Sequence, residues 1–388
     1  MARFNPLVAK TESPPIPEAQ GWLARYKGDR GPAINLSQAV PGTPPHPDLQ
    51  EWLAEAAQDT TSASYGPITG DLALREAYAD DVMRVYGGTV RPTNIAITAG
   101  CNQAFVVTMM ALAGHGDAVI LPSPWYFNHK MTLDMLSIET RTLACRPERG
   151  FVPDPEEAAA MIDGRVRALV LVSPNNPTGA VYPPDVIAAF HALCEKRGIW
   201  LVLDETYRDF LPAAQARPHE LLSGGSWSNL IQLYSFSKSY CIPGYRLGAI
   251  TGSEALINEI AKIQDCVQIC PARVGQRAVA KAIPALGAWR NANRDDILER
   301  AEALKAALRG ANGWSIDSIG AYFAYVRHPL VGQSSKTAAE RLAAEEGVLC
   351  LPSSFFANES DTHLRVAFGN VPKESLELLA PRFQRLSV

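Results

Sequence analysis

No charge of one sign dominates this 388-residue chain: 36 Lys+Arg stand against 40 Asp+Glu, a net charge of -4. A protein that holds nucleic acid by neutralising phosphates needs a basic surplus or a basic block, and the sequence has neither. Long apolar runs are missing too. The best candidate, AFVVTMMALAG (104–114), falls short of the roughly 18 residues that a membrane span requires and reads as a buried helix. MARFNPLVAKTESPPIPEAQGW, at the start, has no sustained apolar stretch before its prolines, so no secretory signal is expected. No GxGxxG follows a strand-like run, which disfavours a dinucleotide-dependent dehydrogenase, and there is no GxxxxGK phosphate loop.

Cysteine is sparse and scattered, with seven residues at 101, 145, 194, 241, 266, 270 and 350. An odd, dispersed set predicts no disulfide framework and fits a reducing cytoplasm. Cys266 and Cys270 are the closest pair, but no CxxC and no histidine at ligand spacing accompanies them, so no metal site is expected.

What is present is an apolar fraction of 47%, that of an ordinary globular protein. At roughly 150 residues per domain the length suggests two or three domains. Pro and Gly concentrate early, in PPIP (14–17) and PGTPPHP (41–47), which predicts an extended arm over 1–45. From about 70 to 285, short Val/Ile/Leu-rich runs alternate with helical stretches. The strand candidates are 94–99, 118–121, 168–172, 199–204, 230–235 and 248–251. Apolar at nearly every position, they predict a mostly parallel sheet covered on both faces, an α/β core over 46–285. Beyond it, 295–309 puts Ile297, Leu298, Ala301, Leu304 and Leu308 on one helical face, and AYFAYV (321–326), a helix ending at Gly347, and runs at 348–351 and 364–368 follow. This mixture predicts a smaller α+β domain over 286–388, with the arm packing on it.

In open α/β sheets, ligands bind beyond the carboxyl ends of the strands. Polar residues stand at several such ends: SPNNPTG (173–179), DETY (204–207) and SFSK (235–238). Each has an ordinary structural reading, as a turn, a helix cap and a surface lysine. Their recurrence in order at successive strand ends argues for a site.

At this point the chain resembles the class I/II aminotransferases, pyridoxal-phosphate enzymes of fold type I. The resemblance rests on Tyr65 with GPITGDLALREAY, TAGCNQAF (98–105), PSPWYF (122–127), SPNNPTG, DETY, SFSKSYCIPGYRLG (235–248) and HLRVAF (363–368), all in the family's order. It implies a three-layer α/β/α cofactor domain with a smaller α+β domain. It implies that Lys238 is the Schiff-base lysine and proton carrier, and that Asp204 partners the pyridine nitrogen and so favours the protonated, electron-accepting ring. Tyr207 and Asn176 resemble the partners of the ring oxygen. Tyr126 resembles the stacking aromatic, with Trp125 its neighbour. Arg246, Ser235 and the Gly100-Cys101-Asn102 turn resemble the phosphate cradle. Tyr65 resembles the phosphate ligand donated across a homodimer interface. Arg365 resembles the arginine that grips the substrate α-carboxylate, with Ala39 and Asn176 beside it.

The chain departs from the family's usual glycine at Ala39 in LSQAVP (36–41) and at Ser353 in LPSSF (351–355), which questions pocket size and loop closure. Asp265 in KIQDCVQICP (262–271) falls near the place where dicarboxylate-specific members carry an arginine from the other subunit. An acid there would repel acidic side chains and attract cationic ones; facing solvent or an internal arginine, it would do neither. The resemblance thus implies ping-pong exchange of an amino group between an α-amino acid and a 2-oxo acid in a cytoplasmic homodimer. A lyase or cyclase using the same cofactor apparatus is the alternative. A regulator that keeps the fold would need an added DNA-binding module, and the short Pro-rich arm is not basic.

Overall fold

The computed structural model describes residues 3–215, 217–223, 227–357 and 361–386; the first and last two residues of the expected arm and small domain lie outside these. A short strand β1 (Ile34–Asn35) precedes β2 (Ile95–Thr98), β3 (Ala118–Ser123), β4 (Glu139–Ala144), β5 (Val166–Val172), β6 (Trp200–Asp204), β7 (Leu230–Ser235) and β8 (Gly248–Thr251). The last seven form one sheet in the order β2-β8-β7-β6-β5-β3-β4. Every pairing is parallel except those of β8, which runs against both β2 and β7.

Alternation along each strand feeds two cores. Leu169, Leu171, Leu201 and Leu203 join one hydrophobic cluster, while Ala168, Val170 and Val202 between them join the cluster on the opposite face. A strand with period two, apolar at every position, can only be satisfied this way, with helices on both sides. The fold is therefore α/β with a mostly parallel, doubly covered sheet. Strand β4 (ETRTLA) is the member that hydrophobicity does not predict. It pairs only with β3 at the sheet edge and is partly exposed, so polar residues suffice there.

A second sheet, β12-β13-β10-β9, is antiparallel and comprises β9 (Ser315–Gly320), β10 (Phe323–Arg327), β12 (Leu351–Pro352) and β13 (His363–Val366). Strand β11 (Val348–Leu349) pairs in parallel with β1. The third hydrophobic cluster lies here and takes in Ala19, Trp22, Ile34 and Leu36 from the N-terminal segment. That segment corrects the expectation of an extended arm. It carries two helices, Pro6–Lys10 and Pro15–Leu23, each with proline in its first turn, where a missing N–H costs nothing.

The helix expected at 295–309 starts earlier and spans Gly287–Arg309. Its first two turns have no apolar stripe because their buried face carries Arg290, paired to Asp81 at 3.1 Å and lying over the Tyr240 ring. Among the described residues no helix is long and apolar enough to cross a membrane.

Candidate active site

The carboxyl ends of β2, β3, β5, β6 and β7 share one edge of the large sheet. Because β8 is antiparallel, its amino end lies at that same edge, and Arg246, two residues before it, reaches the site that the other strands feed from their carboxyl ends. Arg246 holds a positive φ of 53°, and Nη1 donates to the Pro243 carbonyl at 2.9 Å. Beyond β2, Gly100 takes a φ of 82° and opens the helix Cys101–Leu112. A Cβ on Gly100 would sit 2.4 Å from Arg246 Nη2, so only glycine lets the arginine lie on this turn.

After β5, Asn175 Oδ1 accepts from the Thr178 amide and hydroxyl at 3.1 and 2.8 Å, which fixes the turn that carries Asn176. Asp204 ends β6 and accepts from the Thr206 amide at 3.0 Å. Ser235 ends β7 and caps the short helix Phe236–Ser239, which contains Lys238. Arg365 lies in the middle of β13, buried, with its guanidinium 4.8 Å from the centre of the Phe356 ring and 5.0 Å from that of Phe323.

These elements enclose a cavity of about 340 Å³ lined by Lys238, Asp204, Tyr207, Asn176, Tyr126, Ser235, Arg246, Cys101, Asn102, Ala39 and Arg365. Eleven of the sequence-derived candidates are thus brought together, with Gly100 against Arg246 at its rim. Tyr65 is not among the lining residues and is 78% exposed. Trp125 is buried in a hydrophobic cluster, so it is Tyr126 that faces the cavity. Ser353 is buried outside the lining, and Asp265 is exposed on the helix Glu254–Gln268.

The electrostatics are lopsided. Burial, reinforced by Arg246 and Arg365, pulls the Lys238 ammonium down to about 8, and its Nζ donates to the Ala39 carbonyl. Burial also lowers the Arg365 guanidinium to about 10. Arg365 Nη1 donates to Asn176 Oδ1 at 2.9 Å and Nη2 to the Ser37 carbonyl, while Nε has no partner among the described residues. Burial pushes the Asp204 carboxyl up, but His129, 3.3 Å away, and Thr206 outweigh it and hold the group below its ordinary value. His129 was not legible in the sequence. It is a lone histidine in a helix of mixed polarity, and only its burial against Phe105 and its distance to Asp204 make it informative.

The chain matches the family model for aminotransferase class I and II over residues 32–383. It belongs to the class I and II aminotransferases. It is 30% identical over 335 residues to the aspartate/prephenate aminotransferase of Thermus thermophilus, covering 83% of each chain. It is 27% identical over 359 residues to an aromatic aminotransferase of Arabidopsis thaliana, covering 91% of this chain and 89% of that one. The solved Thermus thermophilus aspartate aminotransferase with maleate superposes with a TM-score of 0.91 at 26% identity over 100% of both chains. This aminotransferase is accordingly a pyridoxal-phosphate-dependent enzyme of fold type I that works on an amino acid and a 2-oxo acid. These relatives lend nothing to the lyase or cyclase alternative.

Proposed function

We propose that the cavity around Lys238 is the transamination site and that one pocket serves both half-reactions, an amino acid entering in the first and a 2-oxo acid in the second. The observation that carries this is the buried Lys238 amine, drawn down to about 8 and facing Arg365 and Asp204 across one cavity. A lysine held near neutrality can both bond to a carbonyl carbon and carry a proton.

The donor set fits pyridoxal phosphate group by group. Arg246, Ser235 and the amino end of the helix Cys101–Leu112 converge on one spot suited to a phosphate. Asp204, kept ionised by His129 and Thr206, suits a protonated ring nitrogen. Tyr207 and Asn176 suit the ring oxygen, since Asn176 Oδ1 is taken by Arg365 and leaves Nδ2 to donate. Tyr126 suits the ring face. Bound pyridoxal phosphate supplies a carbonyl that condenses with amines and a ring that takes up the electron pair left when a Cα–H bond breaks. With that group bound, Lys238 Nζ would be the base that takes up the substrate Cα proton and the acid that later gives it back. Arg365 holds the α-carboxylate with its fork, which fixes the Cα–H bond against Lys238.

A cofactor unit over 46–285 and a smaller unit over 286–388 joined by the 1–45 segment complete this reading, supported by the separate clusters on the two sheets. Support for a homodimer comes from exposed Tyr65, Tyr245, Val267 and Ile269, which a second copy would cover; Gly66 N donates to Cys270 Sγ at 3.3 Å, so the Tyr65 loop and the 267–270 segment are neighbours. Cytoplasmic residence is supported by seven free cysteines. The test is optical. Protein loaded with pyridoxal phosphate absorbs in the visible, loses that band on adding an amino acid alone, and regains it on adding a 2-oxo acid. Release of oxo acid over many turnovers without an acceptor would refute the reading.

A further inference from the structure

The helix that carries Lys238, Phe236–Ser239, is four residues long, a single turn that does not hold its shape in water unaided. Its start is secured by the Ser235 hydroxyl, which accepts from the Ser237 amide at 3.3 Å. Past its end the chain turns away at Cys241, which takes a φ of 56°. The far end of the turn therefore needs an anchor of its own.

Residues three apart on a helix share a side. Phe236 and Ser239 accordingly face the core together, both buried, while Lys238 faces the cavity. The Phe236 ring lies 5.1 Å from that of Tyr234 and 5.2 Å from that of Tyr78. Within this aromatic wall the Ser239 hydroxyl oxygen is 2.7 Å from that of Tyr234, and Tyr234 donates to Asp209 Oδ2 at 2.6 Å. A phenol has one proton to give, burial keeps it on the oxygen, and the Asp209 carboxylate takes it, so the Tyr234 oxygen accepts from Ser239. The resulting chain, Ser239 to Tyr234 to Asp209, ends where the Arg208 guanidinium covers the Tyr234 ring at 4.2 Å and Arg290 stands 3.5 Å from Asp209. Ser239 is 2% exposed and Tyr234 1%, so one chain encloses both and a second copy adds nothing to them.

We infer that Ser239 and Tyr234 are positioning residues for proton transfer at Lys238, their hydroxyl chain locking the lysine's helical turn onto the buried Asp209–Arg290 pair. The inference rests on the transamination reading above. Neither residue lines the cavity, so both act through where the backbone of Lys238 is held. Proton transfer is sensitive to that placement, since a shift of about 1 Å costs on the order of 100-fold, whereas groups that only bind the substrate stay where they are.

Ser239→Ala removes one donor and leaves the Tyr234–Asp209 bond in place. The test follows loss of the visible band in protein loaded with pyridoxal phosphate, at saturating concentrations of the common amino acid that converts the wild-type band fastest. The rate per mole of folded protein should fall about tenfold, with the α-deuterated amino acid slower by at least the wild-type ratio. Affinity for the α-methyl form of that amino acid, which has no Cα proton to lose, should change by less than about twofold. Tyr234→Phe should show a comparable loss of rate, and the double variant no more than Tyr234→Phe alone, because the same chain is broken twice. An unchanged rate in Ser239→Ala, or a loss of affinity for the α-methyl form as large as the loss of rate, overturns the inference while the transamination reading stands. If no common amino acid converts the wild-type band, that reading falls and the inference with it.

Discussion

Two groups of charges, buried or nearly so except for the exposed Arg246, differ in how their cations are matched. In one, Asp81 bonds Arg208 at 2.7 Å and Arg290 at 3.1 Å, Asp209 bonds the Tyr234 hydroxyl at 2.6 Å, and the Arg208 guanidinium lies 4.2 Å from the centre of the Tyr234 ring. In the other, Lys238, Arg246 and Arg365 share a cavity with Asp204, and among the described residues none of the three has a carboxylate within salt-bridge distance. The two groups come from the same strand ends. Tyr207 faces the reaction cavity and Arg208 the ion cluster; Ser235 faces the cavity and Tyr234 the cluster. Size does not single out the reaction site, since the cavity beside the ion cluster is the larger, about 630 Å³ against about 340 Å³. What separates them is that the charges of one are matched within the fold, while on the proposed reading the unmatched cations of the other await a phosphate and a carboxylate that arrive with the ligands.

The largest effect that could break this contrast is at Lys238. Lys238→Ala should abolish the visible band and lower transamination on the order of 10⁴-fold, while urea unfolding of the cofactor-free protein finds no loss of stability, because a desolvated ammonium has been removed. Next is Asp81→Asn, which leaves Arg208 and Arg290 facing each other and should cost about 3–5 kcal/mol of unfolding free energy. The variant that folds should keep the wild-type band per mole of folded protein. A stable Asp81→Asn protein without the band would place Asp81 in the reaction site and erase the distinction.

How far the sequence reaches follows the same divide. Strands β5, β6 and β7 were legible because both faces are covered and the apolar run is unbroken, and the polar residues after them marked the site. Edge strand β4 and the start of the helix at Gly287 were not, because one is half solvated and the other buries an arginine against an acid; neither leaves an apolar trace. His129 was hidden too. Its role depends on which distant segments pack together, and no local spacing encodes that. Proline misled at 14–17, where it starts a helix and does not extend the chain.

Arg365 tests the contrast at intermediate size. Lysine in its place keeps the positive charge but loses the planar fork, so Arg365→Lys should lower kcat/KM for the amino acid by about 100-fold through KM as well as kcat. Arg365 is buried and donates to Asn176 Oδ1 and the Ser37 carbonyl, so the unfolding free energy should fall by about 1–2 kcal/mol, less than at Asp81. A loss as large as that of Asp81→Asn would show that Arg365 holds the fold as the ion cluster does.

The smallest effect is a pH slope. Lys238 sits at about 8 in the folded, cofactor-free protein and at its ordinary 10.5 when unfolded. Between these values the unfolded chain binds more protons, so stability rises with pH through this window, by about 1 kcal/mol between pH 8 and 9. Between pH 8 and 9 the ion cluster contributes little: burial keeps the Tyr78, Tyr86 and Tyr234 phenols protonated in the fold, and the unfolded phenols ionise only near their ordinary value of 10. The difference between wild type and Lys238→Met in urea midpoints at the two pH values isolates the amine. Loading with pyridoxal phosphate should remove the slope, since the amine is then no longer free to titrate. A slope that survives both Lys238→Met and cofactor loading would come from charges outside the reaction cavity, and the division between matched and waiting charges would have been drawn around the wrong residues.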